Sequence, residues 1–387
     1  MCVFRLYDPF HRGQLAIAAL FCSLGFQYAT WASRIPALKS DLGLTAAEVG
    51  VLLMAAGIGA TASFPLVALL MRRLGSGRLA LLSALCLTVL LLALAVAPNY
   101  PVALGVMCVD GVFVGCLNTA MNAQGAALEA RHGRNAMARL HATFSGGSLL
   151  AALLASAMNT VTSSVPAHFG AAAAVLLLLA AGARTGLVED GPAEAAQEKK
   201  SRTRWTPPSR VTWWMCCAMA LGTVTEGAMN DWTSLYMKDV AKASAQLAPL
   251  GIAVVSGMMV VARLFADRWR GRWGDGRVVL LGSALAGLGL AFALVSGGVP
   301  AALLGFACVG LGIAAVTPCV YVAAARQGSD ELALVAAMGT TGLLAGPPLI
   351  GFVAGAGSLV WGLGVVAGAA LAVSLCSMRI RWAAASG

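Results

Sequence analysis

The chain contains long runs of apolar residues, such as Leu79–Ala97 and Ala171–Ala181, in which no charged residue occurs. Hydrophobic residues make up 59% of the 387 positions and charged residues only 11%, whereas a soluble domain carries roughly 25% charged residues. A water-soluble fold could not cover so much apolar side chain, and a disordered chain contains far less of it. Most of this chain must therefore lie in lipid.

Polar breaks divide the chain into twelve apolar segments. Each is near the ~20 residues that a helix needs to cross the hydrocarbon of a membrane. The strands of outer-membrane barrels are ~10 residues long with alternating polarity, a pattern unlike these unbroken runs. The sequence therefore predicts an all-α polytopic membrane protein whose spans cover approximately 14–36, 46–70, 78–98, 101–128, 138–162, 167–188, 210–236, 247–266, 277–297, 300–325, 332–356 and 358–380.

Lys and Arg residues concentrate in every second loop. If the N-terminus lies in the cytoplasm, 21 of the 26 basic residues fall in cytoplasmic segments. Lys39, Lys238 and Lys242 fall on the opposite side, and Arg34 and Arg263 lie near span ends. Because basic residues are retained on the cytoplasmic side, both termini are predicted to be cytoplasmic. The net charge of +10 is then a topology signal, and no nucleic-acid partner is expected.

The two halves of the chain resemble each other at an offset near 200 residues. The segment RLGSGR at 73–78 recurs as RWGDGR at 272–277, and Trp31-Ala-Ser33 recurs as Trp232-Thr-Ser234. The most polar stretch lies between six spans and six spans. This predicts an N-terminal six-helix bundle at 1–188, a cytoplasmic linker at 189–209 and a C-terminal six-helix bundle at 210–387, with a cavity between the bundles.

These motifs resemble those of the major facilitator superfamily. The second half carries Arg263-Leu-Phe-Ala-Asp267-Arg268 before its Arg-x-Gly-x-x-Arg segment, which is similar to the superfamily's loop signature, and the first half keeps only the latter part. The pattern WASRIP at 31–36, with Asn230-Asp231-Trp232, resembles a bacterial branch near the fucose-permease-like transporters. The resemblance implies two pseudo-symmetric six-helix bundles in a bacterial inner membrane and a cytoplasmic loop motif formed by Arg73, Gly75, Arg78, Arg263, Asp267, Arg268, Arg272, Gly274 and Arg277.

Asp110 is the clearest functional candidate among the residues inside the spans. It lies about nine residues into the fourth span, or roughly 14 Å at 1.5 Å per residue, near the middle of a ~30 Å hydrocarbon slab. Asn118 and Asn122 follow at helical spacings within one broad face. An acid at this depth is costly unless it is paired or wet. Asp110 is either a proton-coupling or substrate-binding acid or a protonated acid that holds helices together.

The seventh span adds a second group of candidates. Glu226, with Asn230 one turn further on, either lines the substrate path or makes a packing hydrogen bond. Asp231 and Arg34 lie near the outer ends of the seventh and first spans. We expect them to approach or pair when the outer gate is shut, the alternative being two independently solvated charges.

Polar and aromatic side chains in three spans complete the predicted site. Gln27 and Tyr28 in the first span and Tyr321 in the tenth offer hydrogen bonds to a polar solute. Trp31 and Trp232 either stack on a flat face of the solute or anchor their helices at the membrane interface.

Taken together, these features predict a secondary transporter that works by alternating access. The chain has no GxxxxGK[ST] motif for ATP binding, and its four histidines and ten cysteines show no metal-ligand spacing, so neither an enzyme nor a cofactor or metal is expected. The predicted partners are a small solute, sugar-like or another polar metabolite, a proton and the lipid bilayer, with the protein acting as a monomer. The alternative is a proton-driven efflux pump for a drug or metabolite.

Overall fold

The computed structural model describes residues 8–134, 136–188 and 209–382. In this part of the chain all regular secondary structure is α-helical. The predicted linker lies outside the described residues except for Ser209, whose hydroxyl caps the first helix of the second half.

Fourteen helices occur in the described residues. Those of the first half are α1 (Pro9–Ala32), α2 (Ile35–Asp41), α3 (Ala46–Leu74), α4 (Ser76–Ala95), α5 (Tyr100–His132), α6 (Met137–Val161) and α7 (Val165–Ala183). Those of the second half are α8 (Arg210–Asp239), α9 (Leu250–Trp273), α10 (Asp275–Ser296), α11 (Gly298–Ile313), α12 (Val316–Ala325), α13 (Ser329–Ala356) and α14 (Leu359–Ser377).

These helices correspond to the twelve predicted spans. Ten of the described helical segments are long and apolar enough to cross a membrane, with α11 and α12 counted together as Gly298–Ala325. The other two spans are α8, which has 30 residues and many polar ones, and α9, which contains the shorter apolar stretch Leu250–Ala266. The sequence did not predict the short helix α2 or the break between α11 and α12.

The helix ends follow from local sequence signals. Thr45 and Glu48 form a reciprocal capping box at the start of α3, which satisfies backbone N–H groups that have no partner within the helix. Asn99 and Ser164 cap α5 and α7 through their side chains, and each is followed by a proline within the first turn. A proline there removes no helical hydrogen bond.

Two glycines make the equivalent turns of the two halves. Gly75 ends α3 and begins α4 with φ 77° and ψ 165°, and Gly274 ends α9 and begins α10 with φ 79° and ψ 155°. Residues with a side chain rarely adopt this backbone conformation. The glycine of the repeated Arg-x-Gly-x-x-Arg segment is therefore required by the tight connection between two spans.

Each half forms one bundle with the same packing. Helix α1 packs on α6 and α7 as α8 packs on α13 and α14, and α5 packs on α3 and α4 as α11 packs on α9 and α10. The bundles meet along α3 with α13 and α6 with α9, which are equivalent pairs. We call the face where α1 begins the near face and the opposite one the far face.

Close helix crossings depend on small residues. A Cβ atom at Gly111 of α5 would lie 1.8 Å from the carbonyl oxygen of Ala56 in α3, and one at Gly59 would lie 1.9 Å from that of Cys108. These contacts let the two helix backbones touch, as small residues do in membrane bundles. The crossing brings Asp110 next to α3.

An ion pair joins two helix ends at the near face. Asp8 caps α1 by accepting a hydrogen bond from the Phe10 backbone N–H at 3.1 Å, and it pairs with Arg134, just after α5, at 2.8 Å. The hydrogen bond from Arg134, followed by that from Phe10, holds the pKa of Asp8 below its ordinary value. Because both side chains are exposed, the pair joins the two helix ends at the protein surface and is not part of the core.

Candidate functional site

A cavity of about 260 Å³ lies between the two bundles. Its walls come from α1, α3, α5, α8 and α13, and most of the lining is apolar. The predicted site residues that line it are Tyr28, Trp31, Asp110, Asn118 and Asp231. The structure thus brings together residues that are up to 203 positions apart in the sequence.

Asp110 is held by an amide of its own bundle. The Gln27 Nε2 atom donates a hydrogen bond to Asp110 Oδ1 at 2.8 Å, and the residues are 1% and 4% exposed. None of the described ion pairs includes Asp110. The predicted acid is therefore buried at mid-depth with a neutral partner, on the wall of the cavity.

The other acid on the cavity wall is held across the bundle interface. The Tyr28 hydroxyl donates a hydrogen bond to Asp231 Oδ1, which joins α1 of the first bundle to α8 of the second. Gln27 and Tyr28 are adjacent in α1, so neighbouring residues contact one acid in each bundle. A movement of α8 away from α1 must break the bond to Asp231 while the bond to Asp110 can remain.

Glu226 belongs to a second polar cluster between the bundles. Arg263 Nη2 lies 3.1 Å from Glu226 Oε1, with the two side chains 21% and 26% exposed. Arg263 Nη1 also donates a hydrogen bond to the Ser145 hydroxyl in α6 of the first bundle. The guanidinium therefore connects α8, α9 and α6.

The position of Arg263 corrects the sequence prediction. The sequence predicts that Arg263 lies near a span end, as part of the cytoplasmic loop motif, but it lies ten residues before the last residue of α9, Trp273, or about 15 Å. The predicted span ended before Asp267, the first acid after the apolar stretch, whereas the helix continues for two more turns. Sequence analysis could have found this site, because Arg263 is a cation inside the apolar stretch Leu250–Ala266.

The predicted contact between Arg34 and Asp231 is absent from this structure. Arg34 Nε instead donates to His168 Nδ1 at 3.0 Å and Nη1 to the Ser163 backbone oxygen at 3.4 Å. The physical reason is that α1 ends at Ala32, so Arg34 lies beyond the helix and turns toward the start of α7. Asp231 is instead level with Tyr28.

A different ion pair joins the bundles at the far face. Lys39 Nζ, at the end of α2, lies 2.7 Å from Asp239 Oδ2, at the end of α8. Two side chains of α6 add hydrogen bonds to the connection that precedes α9: Ser156 to the Gln246 oxygen at 2.6 Å and Asn159 to the Ala245 oxygen at 2.7 Å. The sequence placed Lys39 on this side but did not indicate its partner.

The remaining predicted residues lie around the cavity or away from it. Asn122 donates to the backbone and side-chain oxygens of Asn118 at 2.7 and 3.1 Å, and Asn230 donates to the Glu226 backbone oxygen at 3.1 Å. Trp232 is fully buried and, like the half-buried Tyr321, is not part of the cavity lining.

Apart from Arg263, the loop motif lies at the near face in both halves. Gly75 and Gly274 form its turns, and the side chain of Asp267 lies outside the described part of the structure. In the second half Arg270 Nε bonds Asp275 Oδ1 at 2.8 Å, a pair the sequence did not predict. The exposed arginines of the motif are Arg73, Arg78, Arg268, Arg272 and Arg277.

Comparison with known proteins decides the family. The model of the Major Facilitator Superfamily matches residues 15–331. The chain belongs to this superfamily. An uncharacterized MFS-type transporter of Yersinia pestis is 31% identical over 92% of each chain, and an uncharacterized transporter of Sinorhizobium fredii is 29% identical over 92% of this chain and 93% of its own. This superfamily member is therefore a membrane transporter and not an enzyme.

More distant matches agree on the fold of this superfamily member. Membrane protein MosC of Rhizobium meliloti is 27% identical over 88% of this chain and 83% of its own. The crystal structure of the nucleoside transporter NupG (D323A mutant) superposes with a TM-score of 0.73, covering 96% of this chain and 99% of that one at 15% identity. At that identity the likeness concerns the fold alone. The resemblance to the fucose-permease-like branch is not confirmed.

Proposed function

We propose that this transporter moves a small polar solute, sugar-like or another polar metabolite, by alternating access coupled to a proton. The bundles at 1–188 and 210–387 move against each other about the linker at 189–209. The near face is the cytoplasmic face of a bacterial inner membrane, because that orientation agrees with the distribution of Lys and Arg. The protein works as a monomer, since each chain encloses its own cavity.

The cavity between the bundles carries this proposal. Asp110 and Asp231 border it from opposite bundles, and Asn118 adds an amide to its lining. Carboxylate and amide groups can bind the hydroxyl groups of a solute in an otherwise apolar cavity, where each hydrogen bond replaces one to water. Trp31 adds a flat aromatic face.

The positions of the cross-bundle contacts support an inward-facing state. Among the described residues, the hydrogen bonds and ion pairs that join the bundles lie at mid-depth, as with Tyr28, or at the far face, as with Lys39. The near-face ends of α3 and α13 have no such bond in the described part of the chain. Solute therefore reaches the cavity from the near face, and opening the far face requires the far-face bonds to break.

Proton coupling rests on the partners of the two acids. Asp110 is bonded to an amide and Asp231 to a phenol rather than to a cation. A buried carboxyl group without a cation is sensitive to the arrival of water or solute, so it can carry a proton through the cycle. Glu226 is paired with Arg263 and takes the role of a positioning group at the bundle interface.

A ligand-stabilisation screen on the purified protein tests the site. A true solute at a hundredfold excess over its Kd should stabilise the wild type by about 2.7 kcal/mol and so raise its Tm. The Tm shift should vanish in Asp110→Asn and diminish in Glu226→Gln. The control is Asp41→Asn, which changes an exposed acid on α2 and should keep the full shift. A ligand whose effect survives both site substitutions would remove this assignment.

The efflux alternative has one observation in its favour. The run Gly342-x-x-x-Gly346-Pro347-x-x-x-Gly351 resembles a motif that antiporting exporters carry in the fifth span. Here it lies in α13, the eleventh span, where Gly342 and Gly346 pack on α8 and Gly351 packs on α3. A Cβ atom at Gly351 would lie 2.8 Å from the Ala46 carbonyl oxygen. Proteoliposomes with an imposed proton gradient separate the two functions, since uptake moves solute with the protons and efflux moves it against them.

A further inference from the structure

An apolar groove lies on the outside of the second bundle, away from the central cavity. It has a volume of about 240 Å³ and is bordered by α9, α10 and the α11–α12 break. Gly282 and Gly312 form part of its lining where α10 and α11 cross, and a Cβ atom at Gly312 would lie 2.0 Å from the Gly282 oxygen. The absence of side chains lets the two helix backbones touch at this crossing, and the groove runs beside it.

A row of stacked aromatic side chains lies on α9, and two of them, Trp269 and Trp273, line the groove. The rings of Phe265 and Trp269 are 5.9 Å apart at 22°, and those of Trp269 and Trp273 are 6.4 Å apart at 16°. Trp273 is 46% exposed although it is apolar over most of its surface. Tryptophan at the end of a span is typical of the interface between hydrocarbon and headgroups.

One cation lies at the near-face end of the groove. Arg277 is part of the lining and is exposed, and no hydrogen bond or ion pair of Arg277 occurs among the described residues. Arg270, by contrast, is bonded to Asp275. The groove therefore combines an apolar channel with a positive charge at its mouth.

The length of the groove fits one leaflet. Its α9 lining runs from Ala262 to Trp273, which is about 16 Å along the helix and close to half of the ~30 Å hydrocarbon. From this geometry we propose that the groove binds an anionic phospholipid, with an acyl chain along α9 and the headgroup phosphate at Arg277. A zwitterionic lipid would offer the same chain without the net charge that Arg277 selects.

The first half supplies a matched control within the same chain. The repeat aligns Arg277 with Arg78 and Trp273 with Leu74, and the same offset aligns Trp269 with Leu70. Arg78 is exposed at the equivalent turn, but it has no aromatic row beside it. A lipid site that needs both features should exist only in the second half.

Fluorescence quenching in vesicles of uniform lipid composition tests the proposal. The wild type is reconstituted in phosphatidylcholine containing about 10 mol% phosphatidylglycerol in both arms. The bromine is carried by the phosphatidylglycerol in one arm and by an equal amount of the phosphatidylcholine in the other. The chain has nine tryptophans, so the double variant Trp269→Leu with Trp273→Leu reports the quenching of the remaining seven. Subtracting its signal from that of the wild type gives the quenching of the two groove tryptophans. Leucine stands at both matched positions of the first half and suits the helix.

The expected result is a preference of about fivefold for phosphatidylglycerol at the groove, the effect of one cation near an anionic headgroup. Arg277→Gln should reduce it to about onefold, Arg277→Lys should retain most of it, and Arg78→Gln should leave it unchanged. Quenching by brominated phosphatidylcholine shows that each variant is inserted in the membrane, and an unchanged Tm shows that it is folded.

Three results would overturn the proposal. Equal quenching of the groove tryptophans by the two lipids in the wild type would show that no anionic lipid is selected. An equal loss of the phosphatidylglycerol preference in Arg78→Gln and Arg277→Gln would show that the anionic lipid is attracted to the basic near face in general. A lipid preference confined to the other seven tryptophans would place the bound lipid elsewhere. None of these outcomes depends on the transported solute.

Discussion

Neutralising Asp239 should shift the protein toward the state that is open at the far face. The Lys39–Asp239 ion pair, 2.7 Å long, joins α2 to α8 across the bundle interface. Because the far-face ends of the bundles must separate when that side opens, the pair exists in one state only. An interaction present in one state biases the equilibrium by its own free energy.

The magnitude follows from the exposure of the pair. The Lys39 and Asp239 side chains are 28% and 40% exposed, so water screens their attraction. Measured pairs of this kind contribute about 0.2–1 kcal/mol, and the short distance favours the upper half of that range. Removing about 0.5–1 kcal/mol changes the ratio of the two states two- to fivefold. At about 1 M salt, where the Debye length is ~3 Å, the wild type should move in the same direction.

Distances between spin labels at Val161 and Val295 measure this ratio. These residues lie at the far-face ends of α6 and α10 and are 82% and 88% exposed, so labels should disturb little. The labels are attached through non-canonical amino acids, because the chain has ten cysteines. Asp239→Asn should increase the long-distance population two- to fivefold.

The charge reversal Lys39→Asp with Asp239→Lys is the decisive control. Both positions lie in the last turn of a helix, where a cation is favourable and an anion is not, each by about 0.3–1 kcal/mol. In the reversed pair these two effects offset each other, so the distance distribution should return to that of the wild type. If the reversed pair opens as readily as either single substitution, the ion pair does not hold the far face closed.

Three further outcomes follow from other contacts. Tyr28→Phe leaves the Asp231 carboxyl without its cross-bundle donor, which costs about 1–2 kcal/mol. The ratio of the open to the closed population, measured with the same labels, should therefore rise about 5- to 30-fold. Tyr100→Phe removes a hydrogen bond within one bundle and should lower the Tm without changing that ratio. Gly111→Ala should destabilise the protein by about 1–3 kcal/mol in thermal unfolding, because its Cβ would meet a carbonyl oxygen at 1.8 Å. The control is Gly105→Ala, which has open space around it and should be neutral or stabilising. Asp8 has a lowered pKa in the folded protein. Its contribution to the stability of the folded state is therefore present above the pKa of the unfolded chain and is lost as the pH falls through the pKa of the folded one. Below about pH 4, the Tm of Asp8→Asn should fall less steeply with decreasing pH than the Tm of the wild type.

The span assignments could be read from the sequence because of the solvent. In hydrocarbon each backbone polar group must be satisfied internally, which leaves helices as the structure for a long apolar run. The ends predicted for the second span, 46–70, differ from α3, Ala46–Leu74, by less than two turns. Larger differences occur where charged residues continue a helix beyond its apolar stretch, as in α9 after Ala266. Charge there marks the end of the apolar stretch, not the end of the helix.

The residues at the site were partly predictable for a related reason. An acid inside a span is costly, so Asp110 and Glu226 could be identified from sequence depth alone. The same rule applies to Arg263, which was missed because it lies close to basic residues of the following turns. Trp232 was predicted to face the solute or the interface, yet it is fully buried, because α8 is surrounded by helices on all sides.

The sequence by itself determined the number of spans, the two-fold repeat and which polar side chains need a partner, since those properties depend on the local contrast between apolar and polar residues. Only the tertiary structure decided which partner each one has. Gln27 and Asp110 are separated by 83 positions, and Tyr28 and Asp231 by 203. A buried polar group requires a hydrogen bond but does not specify which neighbouring helix provides it, and that choice is made when the two bundles pack.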